Sequence, residues 1–590
     1  MGLQEIRIQG SPVSEGIAIG IPFFLDVKER KIPIFPITIG EVDEEIARYR
    51  RALFSSREDL QRIQQDLASV GSSEAVMIID AHLLMLEDPL MTTDMEEKIR
   101  EMMQNTEAVF HSVLAEYAKR FSENRDQYFR QRLLDVMDLA KRILGHLSPI
   151  PSHLPFSELP MHSIVFAKEL VPSDTASAHG SRVSAFVTQG GGGNSHAALI
   201  ARAKGIPFVA SVDIFQLQQN RPNYVIVDGK TGEVIFNPVP ETLEKYRHRK
   251  TCLKTSQQLL QKEVHYDAET MDGCQVQVFA NVGHLSDLDN LEQLGAEGVG
   301  LLRTEYLFFQ NRALFSSEQE QYNAYLEMIK KVAPLPIVIR VFDIGGDKQL
   351  DLSELTLKEA NPVLGCRGIR FLLRHKEIFK TQLRAILRAA AHGNVRILLP
   401  LISDVGELTE ARKLITEVEE GLHAQGLQFF PHLPIGCMIE VPSAVLICDA
   451  LAQHCDFLSI GTNDLVQYTL GIDRNNPVMS DCCYPAHPSV IRMIKMVVTE
   501  AKRYGLHVTI CGEIASNPLF IALLLGLGVD EFSCSPRYIP LVKRAIRQTS
   551  LLSAYELASR ALSLHSSAEI SQLLIEAYNK NATAIDETMA

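Results

Sequence analysis

The sequence predicts an α/β multidomain protein: a C-terminal (β/α)8 barrel preceded by an α/β domain that carries an inserted block of helices. Three observations predict it. Beyond residue 270, eight short apolar stretches are followed, nearly every one, by a helical segment, which matches a (β/α)8 barrel in count and in its size of about 250 residues. Between residues 42 and 147 the apolar positions repeat at helical spacing. On either side of that block, short strand-like stretches end in glycine turns.

Residues 1–24 alternate apolar and small residues in the manner of a strand with a glycine turn. Val42, Ile46, Tyr49, Leu53, Leu60, Ile63 and Leu67 then recur at steps of three, four or seven, which makes one stripe on a helix. SSEAVMIIDAHLLMLEDP (72–89) opens with a Ser-x-Glu cap signal and stops at Pro89; further helices fit 90–120 and 126–147. Such helices pack economically as antiparallel hairpins. From SIVFAKEL (163–170) to VIVDGKTGEVIFNP (225–238) strands and helices alternate. Residues 1–24 and 150–238 are therefore expected to form one α/β domain, and 25–149 its helical insertion. The charged segment up to 262 reads as a linking helix (239–262), with the barrel at 263–575 and a tail at 576–590. The eight barrel strands are expected in 276–283, 298–305, 337–346, 396–402, 435–442, 457–464, 507–514 and 531–535.

Composition narrows the function. Of 590 residues 46% are hydrophobic and 22% charged, enough for ordinary cores. A net charge of -14 disfavours nucleic acid or an anionic membrane as the main partner. The longest apolar run, IALLLGLGV at 521–529, is half a membrane span, and the opening MGLQEIRIQG lacks a signal-peptide core, so no membrane insertion is expected. Its Ile6 stands where a myristoylation signal needs Ser or Thr. All ten cysteines lie at or beyond Cys252, without CxxC spacing; free thiols in a reducing cytoplasm are expected.

Enzymes on (β/α)8 barrels act at the carboxyl ends of the strands. Arg303, Arg340, Glu440, Asp464 and Cys511 sit at or just past five different predicted strands, and Asp343, Lys348, Arg367, Asn463 and Arg474 lie in the following loops. One charged residue at a strand end is ordinarily a solvated surface group. Five with matched charge types suit a phosphorylated carboxylate: arginines give planar paired donors to its oxygens, and two carboxylates can hold Mg²⁺. Cys511 alone would read as a small buried apolar group.

GGGGNSHAALIARAKGIP (190–207) places His196 in the first turn of a short helix, 195–204, capped by Asn194 or Ser195 and stopped at Gly205 and Pro207. The helix dipole there disfavours imidazolium and leaves a ring lone pair available, while the glycines admit a bulky partner. A phosphoryl group on that ring would be stabilised by the same helix end.

This stretch resembles the phosphohistidine signature of the phosphoenolpyruvate-utilising enzymes, the family of Enzyme I of the sugar phosphotransferase system, pyruvate phosphate dikinase and phosphoenolpyruvate synthase. GVGLLRTEYLFF, DIGGDK, NPVLGCRGIR, GCMIEVPSA, SIGTNDLVQYTLGIDR, HPSVIRMI and ICGEIASNP resemble its TIM-barrel motifs in order, and SEGIAIGIP, AHLLMLEDPL and DVMDLAKRI are similar to the Enzyme I branch. The resemblance implies that phosphoenolpyruvate (PEP) binds the barrel mouth and phosphorylates His196. His196, on a swivelling domain, then passes the group to the phosphocarrier HPr, which docks on the helical insertion. It implies that Arg303, Arg340, Asn463, Asp464 and Arg474 bind substrate, that Glu440 and Asp464 hold Mg²⁺, and that Cys511 protonates the enolpyruvate carbon. It also implies a homodimer through the barrel. The sequence departs from the pattern at Gly193 and Asn194, where Arg and Thr are usual, at Val341 (usually Thr) and at Ser516 (usually a smaller residue). Two other readings fit the sequence less well. A dikinase or synthase needs a large ATP-binding domain, and only about 150 residues, mostly helical, precede the histidine domain, with no GxxxxGK[ST] loop. A non-catalytic phosphorylation sensor would have lost a charged residue of the catalytic set, and that set is intact.

Overall fold

The computed structural model describes residues 5–25, 34–69, 73–122, 127–147, 156–178, 182–190, 195–213, 223–305, 307, 317–346, 359, 361–474, 479 and 484–588. Gly193, Asn194 and Lys348 lie outside them. The chain divides into two units, Met1–Ser256 and Gln257–Ala590, and the charged helix Pro240–Lys262 contains the division.

In the first unit an eight-stranded sheet has the order β1-β8-β7-β3-β4-β5-β6-β2. The single opening strand expected from 1–24 is three: β1 (Ile6–Gln9), β2 (Ser11–Ser14) and β3 (Ile17–Phe24). Pro12, which has no N–H to give a ladder, stands on the edge strand β2, where the register shifts. β3 lies inside, antiparallel to β7 (Val225–Asp228) and parallel to β4 (Ser163–Ala167). At Gly20 the chains come so close that a Cβ would stand 1.9 Å from the His162 carbonyl oxygen. β5 (Val183–Thr188), β6 (Phe208–Ala210) and β8 (Glu233–Phe236) complete the sheet.

Between β3 and β4 the chain is helical. Val42–Ser69 buries Ile46, Tyr49, Leu60, Ile63 and Leu67, the stripe the spacing predicts, and Tyr49 donates to the Met91 carbonyl at 2.8 Å. Ser73–Leu86 and Gln127–Leu147 follow the expected courses. The helix expected over 90–120 is broken into Thr93–Met102 and Thr106–Ser122. Met103 takes a left-handed conformation (φ 50°) and its N–H closes on the Ile99 carbonyl; the Thr106 N–H, beginning the next helix, donates to Glu45 at 2.8 Å. Apolar periodicity runs through this break because both helices bury the same side, so spacing alone misses it.

The second unit contains a closed barrel of eight parallel strands: β9 (Gln277–Val282), β10 (Val299–Arg303), β11 (Ile337–Arg340), β12 (Val395–Leu399), β13 (Ile435–Ile439), β14 (Phe457–Ile460), β15 (Val508–Ile510) and β16 (Glu531–Cys534). β16 pairs with β9 and closes it. Each lies within its expected range except β12, which starts one residue earlier, at Val395. Ser567–Thr588 is one helix that runs across the boundary expected at 576, with Ile570, Leu573 and Leu574 buried against the barrel's core. Among the described residues no helix is long and apolar enough to cross a membrane, and the described cysteines are free thiols.

Candidate functional site

Helix His196–Ala203 in the first unit begins where predicted. Of the two candidate caps, Ser195 serves: its Oγ accepts the Ala198 N–H at 3.2 Å. Gly205 ends the helix with φ 64°. His196 is about a quarter exposed, and its Nδ1 lies 2.9 Å from Asp135 Oδ1. Asp135 comes from helix Gln127–Leu147 and is nearly buried. Burial alone would raise its carboxyl, but hydrogen bonds and charge from His196 and His82 outweigh this and hold it at about 2. It is therefore a carboxylate, able only to accept, so His196 Nδ1 is the donor in this contact and Nε2 is the ring nitrogen outside it. His82, wholly buried on Ser73–Leu86, places Nε2 3.3 Å from the same Oδ1 and Nδ1 3.9 Å from Asp138. Sequence reasoning missed Asp135 and His82 as site residues. The available signal was two acids three apart, Asp135 and Asp138, on the face of a helix that also buries Leu139 and Ile143.

The second unit gathers most of the predicted barrel residues. Arg303 and Arg340 are the last residues of β10 and β11, Glu440 follows β13, Asp464 lies in the first turn of Thr462–Leu470 after β14, and Cys511 follows β15. Parallel strands in register bring these ends to one rim. Arg340 pairs with Asp343 at 3.2 Å and closely with Glu305. Burial would lower its guanidinium, but the charges of Glu305, Asp343 and Glu440 raise it. Arg367, 1% exposed, holds Asp343 with a paired grip of 2.9 and 2.8 Å and reaches Asp464 at 3.4 Å through both terminal nitrogens. Glu440 accepts the Leu401 N–H at 2.7 Å and is pushed up to about 7 by burial and by the negative charges of Asp464 and Asp343, against Arg340 and Arg367. Gly461 leaves room beside it: a Cβ there would stand 2.7 Å from Glu440 Oε2.

Cys511 is buried, and its thiol is pushed up to about 11 by burial, with the Ser459 hydroxyl opposing. The charge of Glu440 raises it further, and those of Arg340 and Arg303 oppose. Asn463 exchanges contacts with Glu513, accepting its N–H at 2.9 Å and donating to its carboxylate at 3.3 Å. Arg474 stands further along, its backbone N–H on Gln467 Oε1. Val341 is fully buried, and Ser516 Oγ accepts the Ser535 N–H at 3.2 Å. Glu305 and Ser459 are further additions to the rim that sequence reasoning did not select.

Chemically, the barrel rim concentrates guanidiniums, carboxylates and one thiol in a water-poor setting, which suits binding and cleaving an anionic phosphate ester. The first unit offers an imidazole, about a quarter exposed, with one nitrogen on a carboxylate.

Three models of protein families match the chain: PEP-utilising enzyme, N-terminal, over residues 9–132; PEP-utilising enzyme, mobile domain, over 159–232; and PEP-utilising enzyme, PEP-binding domain, over 257–551. Proteins named phosphoenolpyruvate-protein phosphotransferase from Bacillus sp. (strain S) and Geobacillus stearothermophilus are each 35% identical over 568 residues, 96% of this chain and 97% of theirs. That of Staphylococcus carnosus is 35% identical over 98% of this chain and all of its own. With its barrel matched to the PEP-binding domain and near-complete alignment at this identity, the chain belongs to the family of PEP-utilising enzymes.

Proposed function

We propose that this chain is a phosphoenolpyruvate–protein phosphotransferase that loads His196 from PEP and unloads it onto a small phosphocarrier protein of the HPr kind, the first step of phosphotransferase-driven sugar uptake. The observation that carries the reading is the Asp135 carboxylate on His196 Nδ1. It commits one ring nitrogen and presents Nε2 as the nucleophile. Attack by Nε2 on phosphorus breaks the ester P–O bond, and the enolate of pyruvate leaves. Its methylene carbon then takes the Cys511 proton.

In this reading Arg303, Arg340, Asn463 and Arg474 neutralise and orient the phosphate and carboxylate of the substrate, since phosphoryl transfer depends on positioning and charge. Glu440 and Asp464 would hold Mg²⁺. Their oxygens fit a hard cation, and the like charges that raise Glu440 leave the rim in need of positive charge. The protein would supply two oxygens and leave the remaining positions to substrate and water, as Mg²⁺ prefers. When bound, the ion would polarise the phosphoryl oxygens. Arg367, saturated by Asp343 and Asp464, orients those acids.

The domain roles follow: 1–24 with 150–238 carries the phosphohistidine, 25–149 receives HPr, 239–262 links, and the barrel from 263 binds PEP and pairs with a second copy. A histidine serving both a barrel mouth and an external acceptor requires the units to move relative to each other. The cytoplasm, where PEP is made, is the proposed location.

The test is incubation with ³²P-labelled PEP and Mg²⁺. Acid-labile, base-stable label on the protein is expected, with none on His196→Ala. Label persisting on His196→Ala overturns the assignment, and label that fails to reach added HPr overturns the acceptor.

A further inference from the structure

We infer that Ser459 is a positioning residue for proton delivery: its hydroxyl orients the Cys511 thiol and stabilises the thiolate left when the proton has gone to carbon. This rests on the proposed role of Cys511 and adds the group that makes that role workable.

Ser459 is the third residue of β14, opposite Met438 on β13 and Thr509 on β15. It is 1% exposed, inside a barrel whose neighbouring layer is Leu301, Val338, Leu398, Met438, Phe457 and Cys511. A hydroxyl in such a place needs a partner. Its partner is sulfur: Ser459 Oγ donates to Cys511 Sγ at 3.2 Å, and Cys511 Sγ donates its own hydrogen to the Ile460 carbonyl at 3.4 Å. The thiol hydrogen is thereby held in one direction, and a donor is already aimed at the sulfur lone pair.

The proton balance shows why that matters. When the ester P–O bond breaks, its electron pair stays on the enolate oxygen. As the C–O double bond forms, the carbon–carbon π pair takes the proton from Sγ. A C–H bond forms, an S–H bond breaks, and the pair remains on sulfur as thiolate; water returns the proton after pyruvate leaves. Burial makes that thiolate costly, and Glu440 adds like charge, against Arg340 and Arg303. The Ser459 hydrogen bond becomes charge-assisted at that moment, roughly doubling in strength without any group having to move.

Loss of tritium from the methyl group of pyruvate, catalysed by the whole protein with Mg²⁺, reports carbon protonation without phosphoryl transfer. Ser459→Ala is expected to slow it about ten- to a hundredfold, the value of a hydrogen bond to a charged group. PEP affinity by calorimetry and the melting temperature should stay at wild-type values. Ser459→Thr, which keeps the hydroxyl, is expected to restore exchange. Should Ser459→Ala fail to fold, Ser459→Cys, close in volume and a weaker donor, takes its place with a smaller loss in the same direction. Wild-type exchange in the alanine or cysteine variant, or equal loss in alanine and threonine variants with unchanged melting, overturns the proposal. Cys511→Ala separates the two readings: exchange undiminished there removes the role of Cys511 and this proposal with it. Exchange lost there but intact in Ser459→Ala removes this proposal alone.

Discussion

His196 and Arg367 show how a residue's partners, more than its type, set its task. One His196 nitrogen is bound by Asp135, which in the proposed reaction leaves the other as the nucleophile. Asp135→Asn keeps the shape but can rotate its amide to accept or to donate, so the ring tautomer is no longer held. The expected outcome is a fall of about ten- to a hundredfold in the rate of His196 phosphorylation, measured by rapid quench, with PEP affinity unchanged. Arg367 neutralises two acids at 1% exposure. Its truncation to alanine leaves buried Asp343 with Arg340 as its remaining guanidinium and removes the one that reaches Asp464, and should cost about 3–5 kcal/mol, read as a lower denaturant midpoint of the barrel's unfolding transition.

At the scale of elements, two contacts bring neighbouring elements of the first unit close together. Gly20 on β3 allows the close approach of the His162 carbonyl. Gly20→Ala forces the strands apart there and should destabilise this unit by about 2–4 kcal/mol in chemical denaturation, with the barrel's transition unmoved. The helix carrying Asp135 is tied to the helix carrying His196 through a carboxyl held at about 2, below its ordinary 3.8. A depressed acid stabilises the fold above its unfolded value and loses that contribution as pH falls through the folded one. The first unit should therefore lose about 2 kcal/mol between about pH 4 and pH 2, and Asp135→Asn should flatten that part of its stability profile. The broken helix at Met103 shows the limit of periodicity at this scale. A left-handed residue interrupts the backbone while the apolar stripe continues across it.

For the whole molecule, the two compact units divide the chemistry: the carboxylates proposed for the metal are in one and the histidine is in the other. Loading should therefore need Mg²⁺ and unloading should not. Chelator added before PEP is expected to abolish labelling of the protein; added after loading, it should leave transfer to HPr at its full rate, both read from gels of labelled protein. The sequence by itself determined the barrel, its eight strands and the charged residues that end them. Parallel strands alternate with helices at a spacing that can be counted, and closure puts every carboxyl end on one rim. It likewise placed His196 at the start of a capped helix, because caps and stops are local. Only the tertiary structure decided which groups those residues face. Asp135 meets His196 across 61 positions, Arg367 meets Asp464 across 97, and Ser459 meets Cys511 across 52. Such pairings depend on how elements pack side by side. No local periodicity carries that information, since a helix face or strand end has the same pattern whichever neighbour it meets.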